Sequence, residues 1–390
     1  MREMATEILG YRRKDGTVGI RNKVLVLPSV VCSAETARMI SMQVQGTVAL
    51  QNHLGCGQIG RDARMTIDTL VGLGRNPNVF GVLVVGLGCE TARPREVAKA
   101  IAESGKPVEC VVIQEAGGTL HAVQQGVRLA MDLVERASLE QRVPCDVSDL
   151  VVSVECGGSD PTSGIAANPA VGSASDMVVR QGGTVILSET TELIGAEHIL
   201  AARSRTPEVG EALCAICHQM EQRAQDMGTS LRGGNPSPGN IAGGLTTLEE
   251  KSLGCVHKAG TSVLQEVLPY SAAPTRKGLV MMDTPGFDVD SVTGMVAGGS
   301  QICVFTTGLG TPVGNPIVPV IKVTGNPATF AKMRDNIDIN AGVILEDGVS
   351  IDTMGAVLFD EIVAVANGKQ TRSEILGFCE SSFWRAGTCV

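Results

Sequence analysis

The chain has 390 residues and a formal net charge of −9, and it is 43% hydrophobic with only 3% aromatic residues. This acidic balance, without a basic cluster, excludes nucleic acid as an expected partner. No apolar run is long enough to cross a bilayer, and the first residues, MREMATEILGYRRKDG, lack a signal-peptide core. We therefore expect a cytoplasmic protein with no membrane partner, and we expect its 12 cysteines to be reduced thiols.

Short apolar runs alternate with helical patterns in the first part of the chain. The runs predict buried strands at 23–28, 48–50, 79–86 and 108–114. The intervening patterns predict helices at 33–43, 62–73, 93–104 and 119–137. Such alternation is typical of a parallel sheet covered by helices. The polar stretch 138–148 predicts a linker.

The pattern restarts after this linker. Strands are predicted at 150–154, 183–188, 280–283, 302–306 and 320–322. Helical patterns occupy 193–203, 207–227 and 354–368, and a polar passage rich in glycine and proline spans 232–255. We predict an α/β protein of two Rossmann-like domains with mainly parallel sheets, covering residues 1–145 and 146–390.

Three cysteines each follow a predicted strand and stand next to glycine. They are Cys56 in NHLGCGQIG, Cys89 in GLGCETA and Cys156 in ECGGSD. Ligands of open α/β sheets bind at the carboxyl ends of the strands, so the three thiols could meet at one point. Potential metal ligands or acid–base groups lie beside them: His53, Glu90 and Glu155.

This set of residue types leaves two interpretations open. Thiol, imidazole and carboxylate ligands together suit iron or zinc, and three thiolates also suit an iron–sulfur cluster with one open position. Alternatively, each cysteine is a small buried residue in a crowded turn.

The stretch 155–172 offers further polar groups behind its strand. Ser159 and Asp160 provide a hydroxyl and a carboxylate to a substrate or metal, or they cap the following helix. The Asn168–Pro169 pair predicts a turn out of helical geometry, because a residue before proline avoids the α region.

Several motifs together resemble the altronate/galactarate dehydratase family, which includes the large subunit of sulfolactate sulfo-lyase. The resemblance covers nearly the whole chain. It rests on GYRRKDGTVGIRNKVLVLP (10–28), HLGCGQIGRD (53–62), NPNVFGVLVVGLGCE (76–90), ECGGSDPTSGIAANPAVG (155–172), GGTVILSETTELIGAEHIL (182–200), NPSPGNIAGGLTTLEEKSLGCVHKAG (235–260), DTPGFDVDSVTGMVAGGSQICVFTTGLGTPVGNPIVPVIKV (283–323) and DINAGVI (338–344).

The resemblance implies a dehydratase that removes a proton alpha to a carboxylate and expels the neighbouring hydroxyl, giving a 2-keto-3-deoxy acid. It also implies iron, either mononuclear Fe²⁺ or a three-cysteine cluster, which would stabilise the enolate as a Lewis acid. Longer family members carry an N-terminal SAF-type domain, which leads us to expect a separate small SAF-domain subunit. We further expect a homo-oligomer.

The resemblance directs attention to a limited set of candidate site residues. Cys56, Cys89 and Cys156 are the expected metal ligands. The candidate acid–base groups are His53, Glu90, Glu155, Asp160, His198, Lys251, His257 and Lys258. The candidate substrate-binding residues are Ser159, Asn235, Ser237, Asn240, Thr246 and Thr247, of which Thr246 or Thr247 could instead cap a helix.

The sequence leaves two other functions possible. One is cleavage of the carbon–sulfur bond of sulfolactate. The other is a non-catalytic subunit that binds a metal or a sugar acid for a partner.

Overall fold

The structure is a computed structural model that describes residues 6–390. Residues 1–5, which begin the predicted first domain, lie outside the described residues. The strands are β1 Glu7–Arg12, β2 Val18–Gly19, β3 Lys23–Pro28, β4 Thr47–Ala49, β5 Val79–Gly86, β6 Val108–Val112, β7 Val143–Asp146, β8 Val151–Cys156, β9 Thr184–Leu187, β10 Leu264–Leu268, β11 Gly278–Met282, β12 Ile302–Thr307, β13 Val320–Thr324 and β14 Ile339–Asn340.

The helices connect these strands and cover the sheets. They are α1 Val31–Ser41, α2 Gly60–Arg75, α3 Pro94–Ala102, α4 Ile113–Ala116, α5 Thr119–Ser138, α6 Asn168–Arg180, α7 Glu197–Ala201, α8 Pro207–Asp226, α9 Leu231–Gly234, α10 Pro238–Ala242, α11 Leu248–Val256, α12 Asp288–Ala297, α13 Pro327–Lys332, α14 Val343–Glu346, α15 Ile351–Ala366 and α16 Arg372–Leu376. Within residues 6–390, no helix has the length and apolar character needed to cross a membrane.

Two parallel sheets confirm the predicted α/β class. The first has four strands in the order β4-β3-β5-β6, and the second has seven in the order β10-β11-β9-β8-β12-β13-β14. All pairings within both sheets are parallel. Their strands are apolar runs because helices bury both faces of such sheets. A third, antiparallel sheet has the order β2-β1-β7.

Helix packing ties the two parallel sheets together. Gly72 of α2 lies so close to α12 that an added Cβ would stand 2.5 Å from the carbonyl oxygen of Ala297. One apolar core contains residues from both sheets, including Val82 of β5, Val280 of β11 and Phe305 of β12. The segment after α16 returns to the first sheet, where the Val390 N–H donates to the Gly57 carbonyl.

Several predicted elements differ from the structure. The predicted linker 138–148 contains β7, which pairs with β1. Only Glu197–Ala201 of the predicted helix 193–203 is α-helical, and the glycine- and proline-rich passage 232–255 contains α10 and most of α11. The turn predicted at Asn168–Pro169 is wrong, because α6 begins there and follows a π-helical turn, Ser163–Ala167. The π-helical turn interrupts the regular α-helical hydrogen-bond ladder just before Pro169, whose ring and missing N–H would disrupt an uninterrupted α-helix.

Candidate active site

A cavity of about 410 Å³ opens at the carboxyl edge of the seven-stranded sheet. It lies where the strand order reverses, because the chain places β9 on one side of β8 and β12 on the other. Ligands of open α/β sheets bind at such reversal points. One wall comes from the ends of β8, β9, β11 and β12, and it consists of Cys156, Gly157, Gly158, Thr191, Glu192, Gly286, Asp288 and Leu309.

The opposite wall of this cavity comes from the segment between α8 and the end of α11. It consists of Leu231, Gly234, Asn235, Ser237, Gly239, Asn240 and Lys251. Another cavity, of about 590 Å³, lies at the amino ends of β8 and β9. Of these two cavities, we place the candidate site in the first because it lies at the carboxyl edge of the sheet.

Two lysine–glutamate pairs stand side by side at this edge. The Lys258 Nζ lies 2.5 Å from Glu189 Oε2, and each side chain is only 1% exposed. The Lys251 Nζ lies 2.9 Å from Glu192 Oε1, and this pair borders the cavity. Burial alone would lower the pKa of Lys251, but the Glu192 carboxylate raises it above the ordinary lysine value. Lys251 is therefore an ammonium ion facing the cavity rather than a proton-accepting amine.

Glu189 holds an unusual backbone conformation at the end of β9. Its φ is 64°, in the left-handed region that residues other than glycine rarely adopt. The Glu189 N–H donates to Thr284 Oγ1 at 2.7 Å, and the carboxylate accepts from the Cys156 N–H at 2.9 Å and from Lys258. Such outliers cluster at functional sites, where the surrounding contacts hold them in place.

Glu155 lies behind Glu189, on the side away from the cavity, and is fully buried. Its Oε2 accepts hydrogen bonds from Ser188 at 3.0 Å and Ser291 at 2.6 Å, whereas Oε1 has no partner within residues 6–390. Burial and the charge of Glu189 raise the pKa of Glu155 well above its usual range. Glu155 therefore favours its neutral form more than an ordinary glutamate does, and it lies behind the cavity without bordering it.

Asp288, the first residue of α12, borders the cavity. Burial, and secondarily the charge of Glu189, raises its pKa to about 7. A carboxyl that titrates near the operating pH is suited to accept and return a proton. Asp288 was not among the predicted site residues. The available signal was an acid soon after an apolar run, in MMDTPGFD, at the same sheet edge.

Gly157 provides the space that the Asp288 carboxylate occupies. A Cβ at position 157 would stand 2.0 Å from Asp288 Oδ2. We therefore expect Gly157→Ala to displace this carboxylate and to lower kcat by about tenfold or more, since a shift of about 1 Å at a reacting group can cost 10²-fold. Steady-state kinetics would check this. Gly239→Ala, on the opposite wall of the cavity, is the control. The nearest atom to its added Cβ would be Ser237 Oγ, at an ordinary contact distance of 3.9 Å.

The predicted metal ligands do not converge in the structure. Cys56 and Cys89 are exposed at the edge of the four-stranded sheet, whereas Cys156 is buried at the end of β8 in the other sheet. No group of three or more His, Cys, Asp or Glu side chains is arranged to hold a metal ion in the described part of the chain. Ligation of iron by these three thiols stays a prediction without geometric support here. The thiol nearest to Cys156 is Cys255, whose Sγ lies 3.4 Å away.

The three histidines proposed as bases all lie outside the cavity. His53 is exposed and packs edge-on against Phe383 at 6.3 Å between ring centroids. His198 is exposed on α7, and His257 is exposed at the end of α11 beside a smaller cavity of about 250 Å³.

Several other candidates form hydrogen bonds that shape local structure. Glu90 accepts from Ser29 Oγ at 2.7 Å and from the N–H groups of Leu87 and Gly88. Burial opposes the charge of Glu90, but these hydrogen bonds bring its pKa below the usual value. Asp160 accepts from Ser163 N–H at 3.1 Å and Asn326 Nδ2 at 2.9 Å. These contacts favour the alternative in which Asp160 caps a helix.

The candidate substrate-binding residues divide into two groups. Asn235, Ser237 and Asn240 line the cavity, and Lys251 Nζ donates to Asn235 Oδ1 at 3.1 Å and to Asn240 Oδ1 at 3.3 Å. The remaining three line no part of it. Thr247 caps α11, Thr246 bonds to Glu250, and Ser159 borders the smaller cavity.

Two family models cover most of the chain. Residues 147–389 match "D-galactarate/Altronate dehydratase, C-terminal", and residues 10–138 match "D-galactarate dehydratase/Altronate hydrolase, second domain". The chain belongs to the galactarate/altronate dehydratase family. The resemblance found in the sequence is thereby confirmed, and the candidate site lies in the part that matches the C-terminal model.

Individual relatives agree with this family assignment. The chain is 40% identical to a (2R)-sulfolactate sulfo-lyase subunit beta of Chromohalobacter salexigens, over 95% of both chains. It is 35% identical to an altronate dehydratase of Bacillus subtilis, covering 98% of this chain and 78% of that one. It is 38% identical to a galactarate dehydratase (L-threo-forming) of Escherichia coli, covering 93% and 73%. The chain is an enzyme of the lyase class, and the dehydratases among its relatives support a carbon–oxygen lyase.

Proposed function

We propose that the protein dehydrates a sugar acid to a 2-keto-3-deoxy acid in the cavity at the carboxyl edge of the seven-stranded sheet. The observation that carries this proposal is the pairing of a cavity-facing ammonium ion, Lys251, with a cavity-facing carboxyl whose pKa is about 7, Asp288. The first group suits a substrate carboxylate, and the second suits the alpha proton beside it.

Lys251 would position the substrate. Its Nζ already contacts the oxygens of Glu192, Asn235 and Asn240, and these neighbours fix the direction of the ammonium group. These neighbours take all three N–H donors of the ammonium group, so a substrate carboxylate would replace the longer contacts to Asn235 and Asn240, at 3.1 and 3.3 Å. The released Asn235 amide and the Ser237 hydroxyl would then be available to the sugar hydroxyls inside the cavity.

Asp288 would carry the proton. As a carboxylate it removes the alpha proton, and the electron pair of the broken C–H bond forms the double bond as the neighbouring hydroxyl leaves. The protonated Asp288 then gives that proton to the departing hydroxyl, which leaves as water. The enol tautomerises to the keto acid.

The charges around the cavity favour a substrate with one carboxylate. Its lining contains one basic side chain, Lys251, and two acids, Glu192 and Asp288. A second anionic group on the substrate would meet no cationic partner among these lining residues and would face two carboxylates. We therefore propose an aldonic acid, such as altronate, over a dicarboxylic sugar acid.

Iron stays part of the proposal only as an additional component. When bound, it would supply Lewis-acid stabilisation of the enolate. Cys156 and Cys255 approach the site, but Glu189 and Glu192, the carboxylates that contact these two thiols, already pair with lysines, so we route no step through iron. Metal analysis after anaerobic purification would test the prediction: about one iron per chain without a band near 400 nm would indicate mononuclear Fe²⁺, and such a band would indicate a cluster.

A small SAF-domain subunit and a homo-oligomeric state belong to the same proposal. The name of the Chromohalobacter relative, a subunit beta, supports a partner subunit. The SAF type of that subunit and the homo-oligomeric state rest on the family resemblance alone. Adding such a small subunit should increase turnover, and light scattering would report the oligomeric state.

Cleavage of the carbon–sulfur bond of sulfolactate is the second candidate, favoured by the 95% coverage of both chains in the match to the sulfo-lyase subunit. One assay separates the two candidates. Altronate, galactarate and sulfolactate are offered with and without a small SAF-domain subunit, and both keto-acid formation and sulfite release are measured. Keto acid from altronate in preference to galactarate supports the proposal. Sulfite release from sulfolactate without dehydration of a sugar acid would replace it with the second candidate.

A further inference from the structure

Two buried cysteines meet beside the candidate active site. Cys156 ends β8 and Cys255 lies near the end of α11, 99 residues apart in sequence, yet their Sγ atoms are 3.4 Å apart. Each residue is nearly inaccessible, at 3% and 2% exposure. Each borders a cavity from which a small molecule would approach: Cys156 the cavity of about 410 Å³ and Cys255 the adjacent one of about 250 Å³.

We propose that Cys156 and Cys255 form a redox-sensitive dithiol whose oxidation to a disulfide switches off the enzyme. The sulfur atoms need to close from 3.4 Å to about 2.0 Å. Gly157 and Gly158 follow Cys156, and they give that side of the pair a backbone that can adjust.

The oxidant that the pair would meet is a small peroxide. Each thiol gives up one proton and one electron, a sulfur–sulfur bond forms, and hydrogen peroxide is reduced to two molecules of water. The first thiol is oxidised to a sulfenic acid and releases one water; the second thiol then attacks that sulfur, and the sulfenic hydroxyl leaves with the second thiol's proton as the other water. A small dithiol reductant reverses it by thiol–disulfide exchange.

Disulfide formation would disturb the site through α11. Lys251 and Cys255 are four residues apart on this helix and therefore share one face. Movement of Cys255 toward β8 would move that face, and with it the ammonium group that we propose as the substrate anchor. On the other side, the Cys156 N–H donates to Glu189, so movement of Cys156 would also disturb the Lys258–Glu189 pair.

The main test maps the disulfide in the wild-type protein, independently of any activity. Exposed thiols are first blocked with a bulky maleimide, and the protein is then treated with hydrogen peroxide or diamide. We expect a peptide pair linked through Cys156 and Cys255, lighter by two hydrogen atoms, that dithiothreitol separates. Absence of this linked pair after oxidation would overturn the proposal, even where Cys255→Ser fails to fold.

The activity readout rests on the proposed function. We expect oxidation to lower the wild-type rate by about tenfold or more, since a displacement of about 1 Å can cost 10²-fold, and dithiothreitol to restore it. Cys217→Ser is the matched control. Cys217 is also buried, but its Sγ contacts the backbone carbonyl of Thr190 at 4.0 Å rather than another thiol. This variant should therefore lose and regain activity as the wild type does. Cys255→Ser cannot form the disulfide, so oxidation should leave its own rate unchanged. Equal losses in Cys255→Ser and wild type would overturn the switch. Failure of every sugar acid to react would count against the proposed function alone.

Discussion

Replacing Asp288 by asparagine should lower kcat by about 10²- to 10⁴-fold, the usual contribution of a positioned acid–base group. The substitution keeps the shape of the side chain and removes its ability to take the alpha proton. In the wild type, burial and the charge of Glu189 raise the pKa of Asp288 to about 7, so kcat/KM should rise with pH through that value as the carboxylate ionises. In Asp288→Asn, the rise attributable to this group should disappear.

Asp290→Asn is the matched control for this experiment. Asp290 lies on the same helix and burial also raises its pKa, but it does not line the cavity. Turnover of the control should stay close to that of the wild type. Unchanged turnover and an unchanged pH profile in Asp288→Asn would remove Asp288 from the mechanism.

The raised pKa that suits Asp288 to catalysis also makes the folded protein less stable as pH rises. The folded protein keeps a proton on Asp288 up to about pH 7, whereas the unfolded chain loses it near pH 4, so the group makes folding less favourable as pH rises between those values. Asp288→Asn should therefore have a higher melting temperature than the wild type at pH 8 and a smaller difference at pH 4. A loss of rate together with a gain in stability would separate a catalytic role from a folding defect.

The parallel sheets could be predicted because their strands are continuous apolar runs between helical patterns. The runs predicted at 79–86 and 302–306 correspond to β5 and β12 in the structure. Short and partly polar elements were missed: β1 alternates exposed and buried residues only over six positions, and β7 lies in a stretch that begins with two exposed residues. β1 and β7 form by pairing with each other, and the local sequence of either strand says little about that pairing.

The structure does not bring the three thiols together, and the reason is topological. Strand ends share an edge only within one sheet, and the sequence does not say which strands share a sheet. Cys56 and Cys89 follow strands of the four-stranded sheet, whereas Cys156 ends a strand of the seven-stranded sheet. The same rule succeeded within the second sheet, where the carboxyl ends of β8, β9 and β11 jointly line the cavity.

The remaining site residues depend on features that the sequence does not display. Glu189 reaches the site through a left-handed backbone conformation at a residue that is not glycine. Asp288 depends on burial for its role, and Cys255 approaches Cys156 only because α11 packs over the end of β8. In contrast, Asn235, Ser237 and Asn240 could be selected from their polar, proline-rich stretch, and the structure places all three on the cavity wall.

Replacing Lys251 by methionine should raise KM for a carboxylate substrate by about 10- to 100-fold, because a hydrogen bond to a charged group contributes about 1.5–3 kcal/mol. The effect on kcat should be smaller, since Lys251 is proposed to bind the substrate and not to carry the proton. Lys369→Met is the control: Lys369 is itself exposed and pairs with Glu361 at 2.6 Å, and neither residue lines the cavity.

The single variant leaves Glu192 as a buried carboxylate without its lysine, which destabilises proteins by about 3–5 kcal/mol. The double variant Lys251→Met/Glu192→Gln removes both charges and should recover much of this loss in the free energy of unfolding. Its KM should stay raised, because the substrate carboxylate still lacks an ammonium partner. If the double variant regained both stability and the wild-type KM, Lys251 would serve only to neutralise Glu192, and the substrate carboxylate would bind elsewhere.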